Sequence, residues 1–130
     1  MRILVDTSVW IDFFRGASSQ ENVLFKECLQ RREAIVITGT IAQEILQGVR
    51  DDSQHRSILN YLLLFPQVES GFADYLRAAD IYRSLRKRGL TIRSPVDCLI
   101  AAVAMKHNTA LLHRDSDFAL IAQHFPLSTL

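Results

Sequence analysis

Five acidic residues carry the chemical signal of this 130-residue chain: Asp6, Glu44, Asp97, Asp115 and Asp117. Asp6 directly follows the apolar run Ile3-Leu4-Val5, and Asp115 and Asp117 follow Ala110-Leu111-Leu112. Glu44 falls in the first turns of a helix after Ala34-Ile35-Val36-Ile37, and Asp97 lies in the first turn of a long apolar helix. If the three apolar runs are strands of one sheet, all five carboxylates converge on one edge. Carboxylates within about 4–6 Å of one another raise each other's pKa and resist full ionisation, a conflict that a divalent cation removes. Oxygen ligands alone favour Mg²⁺, with Mn²⁺ as a substitute, over zinc. His55, His107, His113 and His124 show no metal-ligand pairing. Such a site serves to activate water and neutralise a phosphoryl oxygen, which is the chemistry of phosphodiester hydrolysis. No Ser-His-Asp arrangement, nucleophile elbow or phosphate-binding glycine loop competes with it.

Each acid also has a structural use. Asp6 can cap a helix, although Thr7 and Ser8 offer the same service. Ser94-x-x-Asp97 matches a capping box with Pro95 at the first helical position. Glu44 reads as a solvated helix residue, since Gln43 occupies the capping slot after Thr40, and either Asp115 or Asp117 can cap the last helix.

The elements that must position these residues follow from hydrophobic spacing. Ile3–Val5, Ala34–Ile37 and Ala110–Leu112 are continuous apolar runs, as in strands buried on both faces of a parallel sheet. Val9, Trp10, Phe13 and Phe14 predict a short helix stopping near Gly16, with its aromatics at core or dimer-contact positions rather than stacking on bases. Further helices are expected over 22–32, from Ile41 to Val49 after a Thr38-Gly39-Thr40 turn, and over 53–64 before Pro66. Residues 72–88 predict a long amphipathic helix with Leu76, Ala79, Ile81, Tyr82 and Leu85 inward, closed by Gly89. Cys98 to Met105 is apolar nearly all round, the mark of a deeply packed helix. Phe118, Ile121 and Ala122 suit a last short helix, and a final short strand is expected near 126–127. The alternation predicts one domain over residues 1–130, a three-layer α/β/α sandwich with a mostly parallel central sheet. Function in such sheets sits beyond the carboxyl ends of the strands.

Composition fits that frame. With 48% apolar and 22% charged residues, the chain suits one globular core that needs no disulfide or structural metal. Cys28 and Cys98 lack metal or redox spacing and the start shows no signal pattern, so a reducing, cytoplasmic setting is expected. No apolar run approaches the roughly 18–20 residues of a membrane span. The net charge of +1 conceals a division. Between Gly71 and Arg93, Arg77, Arg83, Arg86, Lys87, Arg88 and Arg93 face only Asp74 and Asp80.

The segments Val5-Asp6-Thr7-Ser8-Val9-Trp10-Ile11-Asp12, Glu44, Ser94-Pro95-Val96-Asp97-Cys98-Leu99-Ile100-Ala101 and Leu112-His113-Arg114-Asp115-Ser116-Asp117-Phe118 resemble, in order and spacing, the PIN-domain ribonucleases. The likeness is specifically to the VapC-type toxins of toxin–antitoxin pairs, and it spans nearly the whole chain. It implies that Asp6, Glu44, Asp97 and Asp115 are the metal-binding acids. Asp117 is then a ligand or a group just behind the ligands, and Thr7 or Ser8 holds Asp6 or a bound water. It further implies Mg²⁺ or Mn²⁺ dependence, endonucleolytic cleavage of cellular RNA, a homodimer, and inhibition by a small VapB-type antitoxin. Arg86, Lys87, Arg88 and Arg93 then become candidates for holding RNA phosphates.

Two other classes share part of this pattern. A PIN-like module that binds RNA or a partner without cutting would keep the basic stretch. A phospho-acceptor receiver domain also has an acidic pocket on a parallel sheet, but it wants an acidic pair after the first strand and a lysine after a late one. This chain has Asp6-Thr7-Ser8 and His113-Arg114-Asp115 there.

Overall fold

The computed structural model describes residues 1–130. A four-stranded parallel sheet runs in the order β3-β2-β1-β4, from β1 (Ile3–Val5), β2 (Ile35–Thr38), β3 (Gln67–Val68) and β4 (Ala110–Leu112). Register aligns Ile3 with Ile35 and Ala110, and Val5 with Leu112, so β1 and β4 end level with one another. Every residue of β1, β2 and β4 is buried, which is why these runs carry no polar alternation.

Seven helices cover the sheet: α1 (Thr7–Arg15), α2 (Gln20–Gln30), α3 (Gly39–Gln47), α4 (Asp52–Leu62), α5 (Phe72–Lys87), α6 (Pro95–Lys106) and α7 (Ser116–His124). α1 packs on α2 and α3, and α3 on α4; α6 packs on α5 and α7. These two helix groups form the outer layers of the expected α/β/α sandwich. The chain steps from β1 to β2 to β3 in one direction, then returns to the other side of β1 as β4. The crevice between β1 and β4 is therefore the point where the strand order reverses, the usual ligand position of an open α/β sheet.

Local signals act as expected in several places. Gly16 ends α1 in the left-handed conformation at φ 70°, and its N–H reaches the carbonyls of Asp12 and Phe13. Trp10 is wholly buried with its ring 4.8 Å from Phe25 and 5.3 Å from Phe65, so this aromatic group is core. Cys98 to Ala104 of α6 are all buried, and the alanines let the helix approach its neighbours closely. Cys28 and Cys98 are free and buried. No helix is long and apolar enough to cross a membrane.

Other expectations are corrected. Thr38 to Thr40 is not a turn, and Thr40 does not cap. The Thr38 hydroxyl accepts the Ile41 N–H at 3.1 Å, and α3 starts at Gly39. On α5 the buried stripe is Asp74, Ala78, Ile81 and Leu85, whereas Leu76 and Ala79 face outward. Asp74 occupies an inner position because Lys106 of α6 reaches it at 3.1 Å and the Gly71 N–H donates to it at 2.8 Å. β3 pairs only two residues, too short to show in the spacing. The carboxy-terminal strand is a single parallel bridge between Leu111 and Thr129, beyond the expected 126–127.

Candidate metal centre

The acids sit where strands hand over to helices. Asp6 follows β1 and caps α1: its carboxylate accepts the Ser8 hydroxyl at 2.9 Å, and its own N–H donates to the Leu112 carbonyl at 2.9 Å, tying it to the end of β4. Asp6 is buried, and burial raises its pKa, with the Glu44 charge adding to the rise and the Ser8 hydroxyl and backbone N–H groups opposing it. Glu44 lies one turn into α3, half-buried, and its Oε1 accepts the Thr7 hydroxyl at 2.7 Å. Thr7 and Ser8 thus hold the two acids of this side in place.

Across the crevice, Asp97, Asp115 and Asp117 bring one carboxylate oxygen each within 4.8 Å of one another. The Ser94 side chain makes no cap, so the capping box read from the sequence is absent. Asp97 is buried, and its Oδ2 has no hydrogen-bond partner at all. Its pKa is pushed up to about 8, first by burial and then by the charges of Asp6 and Asp115 and by its closeness to Asp117. An orphaned carboxylate oxygen aimed among other carboxylates is costly in the absence of a cation. The donor set is oxygen alone, which suits a hard divalent ion.

Asp115 and Asp117 divide the remaining work. Asp115 caps α7 by accepting the Asp117 N–H at 2.9 Å, and it is the more exposed of the pair. Asp117, buried, accepts the backbone N–H groups of Arg93 and Ser94, both at 3.1 Å through Oδ2. Its lone pairs are thus largely used in fixing the start of α6, whereas Asp115 keeps one oxygen without such a bond.

Of the four cations singled out in the sequence, only Arg93 reaches the acids, 3.4 Å from Asp115 and 3.0 Å from the Ser116 hydroxyl. Arg88 lies 2.8 Å from His124 at the far end of α7. Arg86 stands over the Tyr82 ring at 5.7 Å, and Lys87 is exposed. Two supports escaped sequence reasoning. His113 Nδ1 accepts the Asp115 N–H at 3.2 Å, and Arg114 pairs with Asp12 of α1, joining the loop that carries Asp115 to the helix that follows Asp6. The His113-x-Asp115 spacing is a local signal for the first; a pair separated by 102 residues leaves none.

Comparison with known proteins agrees with this geometry. The PIN domain pattern matches residues 3–123. Ribonuclease VapC11 of Mycobacterium tuberculosis is 41% identical over 123 residues, covering 93% of this chain and 92% of that protein. Ribonuclease VapC51 of the same organism is 31% identical over 122 residues, covering 94% and 86%. Among solved structures, VapBC2 from Rickettsia felis, bound to a DNA fragment from its promoter, superposes with a TM-score of 0.78 at 19% identity, covering 100% of this chain and 98% of that one. With its acids at the ends of β1 and β4 and its sequence aligned to VapC ribonucleases over nearly its full length, the chain belongs to the PIN-domain family, in the VapC group.

Proposed function

We propose that the protein is a metal-dependent endoribonuclease toxin of a VapBC-type pair. The observation that carries this reading is Asp97 Oδ2, buried without a partner among Asp6, Asp115 and Asp117. A catalytically silent module would have no use for so costly an arrangement. Asp6, Asp97 and Asp115 would hold Mg²⁺, or Mn²⁺ in its place, with Glu44 beside Asp6 and Asp117 behind Asp97. The ion would supply water activation and charge neutralisation at the scissile phosphate. The chain's own residues set the stage for that. Thr7 fixes the Glu44 carboxylate, Ser8 fixes Asp6, and Asp117 anchors the first turn of α6 so that Asp97 stays turned into the crevice. Arg93 stands beside the acids with its guanidinium exposed, and Arg86, Lys87 and Arg88 extend the cationic surface that would hold RNA phosphates.

The proposed partners are a second copy and a small VapB-type antitoxin. Phe72, Tyr75, Leu76 and Val96 are exposed apolar residues on α5 and the start of α6, Tyr75 and Val96 lining a groove of about 440 Å³, and a second copy would cover them. Leu76→Glu should convert the dimer to monomer in light scattering.

Induced expression with and without Asp6→Asn, followed by mapping of new RNA 5′ ends, tests the reading. New ends and growth arrest are expected only with the unaltered chain. The same new ends with Asp6→Asn would refute it.

A further inference from the structure

A second groove starts at the acids and runs along α7. One wall is the segment between α5 and α6, where Ile92 is buried and turns Thr91 and Arg93 outward. The Arg93 and Ser94 N–H groups, bonded to Asp117, pin that wall to the start of α7. The other wall and the floor come from α7, with Ser116 nearest the acids, Leu120 half-buried in the middle and Gln123 exposed further along. The space is about 590 Å³, within the roughly 300–1,000 Å³ range of small-ligand clefts. From Ser116 to Gln123 it extends about 10 Å along the helix.

The lining combines a cation, an apolar side chain and two uncharged hydrogen-bonding side chains, a set that suits a nucleotide. Arg93 lines the groove beside the acids and donates to the Ser116 hydroxyl at 3.0 Å, so a cation stands at the inner end. The one acid in the lining, Asp117, is turned to backbone N–H groups. Leu120 gives a half-buried apolar patch against which a base or ribose can pack. The Gln123 amide both donates and accepts, and the Thr91 hydroxyl does the same, which suits the exposed edge of an unpaired base.

We propose that this groove holds the nucleotide next to the scissile phosphate and selects its base, with Gln123 and Thr91 as specificity-determining residues. The inference rests on the ribonuclease reading, and two measurements separate their failures. In the first, purified protein digests total bacterial RNA and the new 5′ ends are sequenced. Base preference at one position beside the cut should fall by about fivefold or more in Gln123→Ala, the size of one lost base-edge contact, and should change letter rather than vanish in Gln123→Glu. Unaltered preference in both Gln123→Ala and Thr91→Ala would overturn the groove and leave the nuclease standing. In the second, the Asp97→Asn protein is irradiated with a random RNA pool carrying 4-thiouridine, which requires no cleavage. Cross-links at Thr91 or within residues 119–123 support the groove even if the wild type cuts nothing, an outcome that would instead sink the nuclease. Cross-links confined to other surfaces would overturn the groove.

Discussion

Asp117 accepts the Ser94 backbone N–H at 3.1 Å and thereby takes the place that Asp97 would fill in a capping box. The start of α6 is held from α7, a different element, and Asp97 is left with an oxygen that nothing in the protein satisfies. The two acids look alike in the sequence but do opposite things. One stabilises the fold at the crevice; the other is held there at a cost.

Their substitutions should therefore separate. Asp97→Asn removes a repelled, buried acid, so the metal-free protein should melt no lower than wild type while cleavage is lost. Asp117→Ala removes the acceptor of two backbone N–H groups and should lower stability by about 1–3 kcal/mol. Thermal melts in EDTA compare them; a marked drop in melting temperature for Asp97→Asn would contradict the assignment.

The raised pKa of Asp97 gives a pH dependence with a definite sign. Its proton is held up to about pH 8 in the metal-free fold but only to the ordinary carboxylate range when unfolded. The Asp97 contribution to the stability of the metal-free protein should therefore fall as pH rises from about 4 to 8, because the folded state binds the extra proton, and thermal melts of wild type against Asp97→Asn across that range isolate it. Metal must displace that proton, so Mn²⁺ affinity should rise from pH 6 to pH 8 with uptake of about one proton by the buffer at neutral pH. Calorimetry in buffers of different ionisation enthalpy measures both.

Thr7 orients Glu44 through one hydrogen bond of 2.7 Å. Thr7→Val should weaken metal binding by about tenfold, the lower range for loss of an outer hydrogen bond, with little change in melting temperature. Thr7→Ser keeps the donor and should restore most of the affinity. Loss in Thr7→Ser with affinity kept in Thr7→Val would point to the Thr7 methyl group rather than its hydroxyl.

Arg93 lies beside the acids with its side chain 74% exposed, so it is free to meet a phosphate. In an Asp97→Asn background, Arg93→Ala should weaken RNA binding and reduce the slope of log affinity against log salt by about one. Lys87→Ala should act in the same direction. A slope unchanged by either substitution would remove these cations from the RNA path.

Much of this was legible in the residues themselves. Ile3-Leu4-Val5-Asp6 announces a buried strand ending in an acid because every residue up to the acid is apolar, and the all-apolar body of α6 announces its burial equally well. What the sequence hid depends on contacts between distant segments. Asp74 reads as a surface acid, so the inner stripe of α5 was expected through Leu76 and Ala79; only the reach of Lys106 reveals otherwise. Asp97 reads as a cap because Ser94 precedes it by three, and its release depends on Asp117, 23 residues beyond Ser94. The choice between Asp115 and Asp117 was open for the same reason: both follow β4, and what separates them is which one meets the Arg93 and Ser94 N–H groups.

The central claim is that these carboxylates gather a divalent ion to cut RNA. Its most direct test is digestion of RNA by the purified protein in Mg²⁺, in excess EDTA, and with Asp97→Asn in Mg²⁺. Discrete internal cuts are expected in the first alone. Undiminished cutting in EDTA, or by Asp97→Asn, would contradict the account.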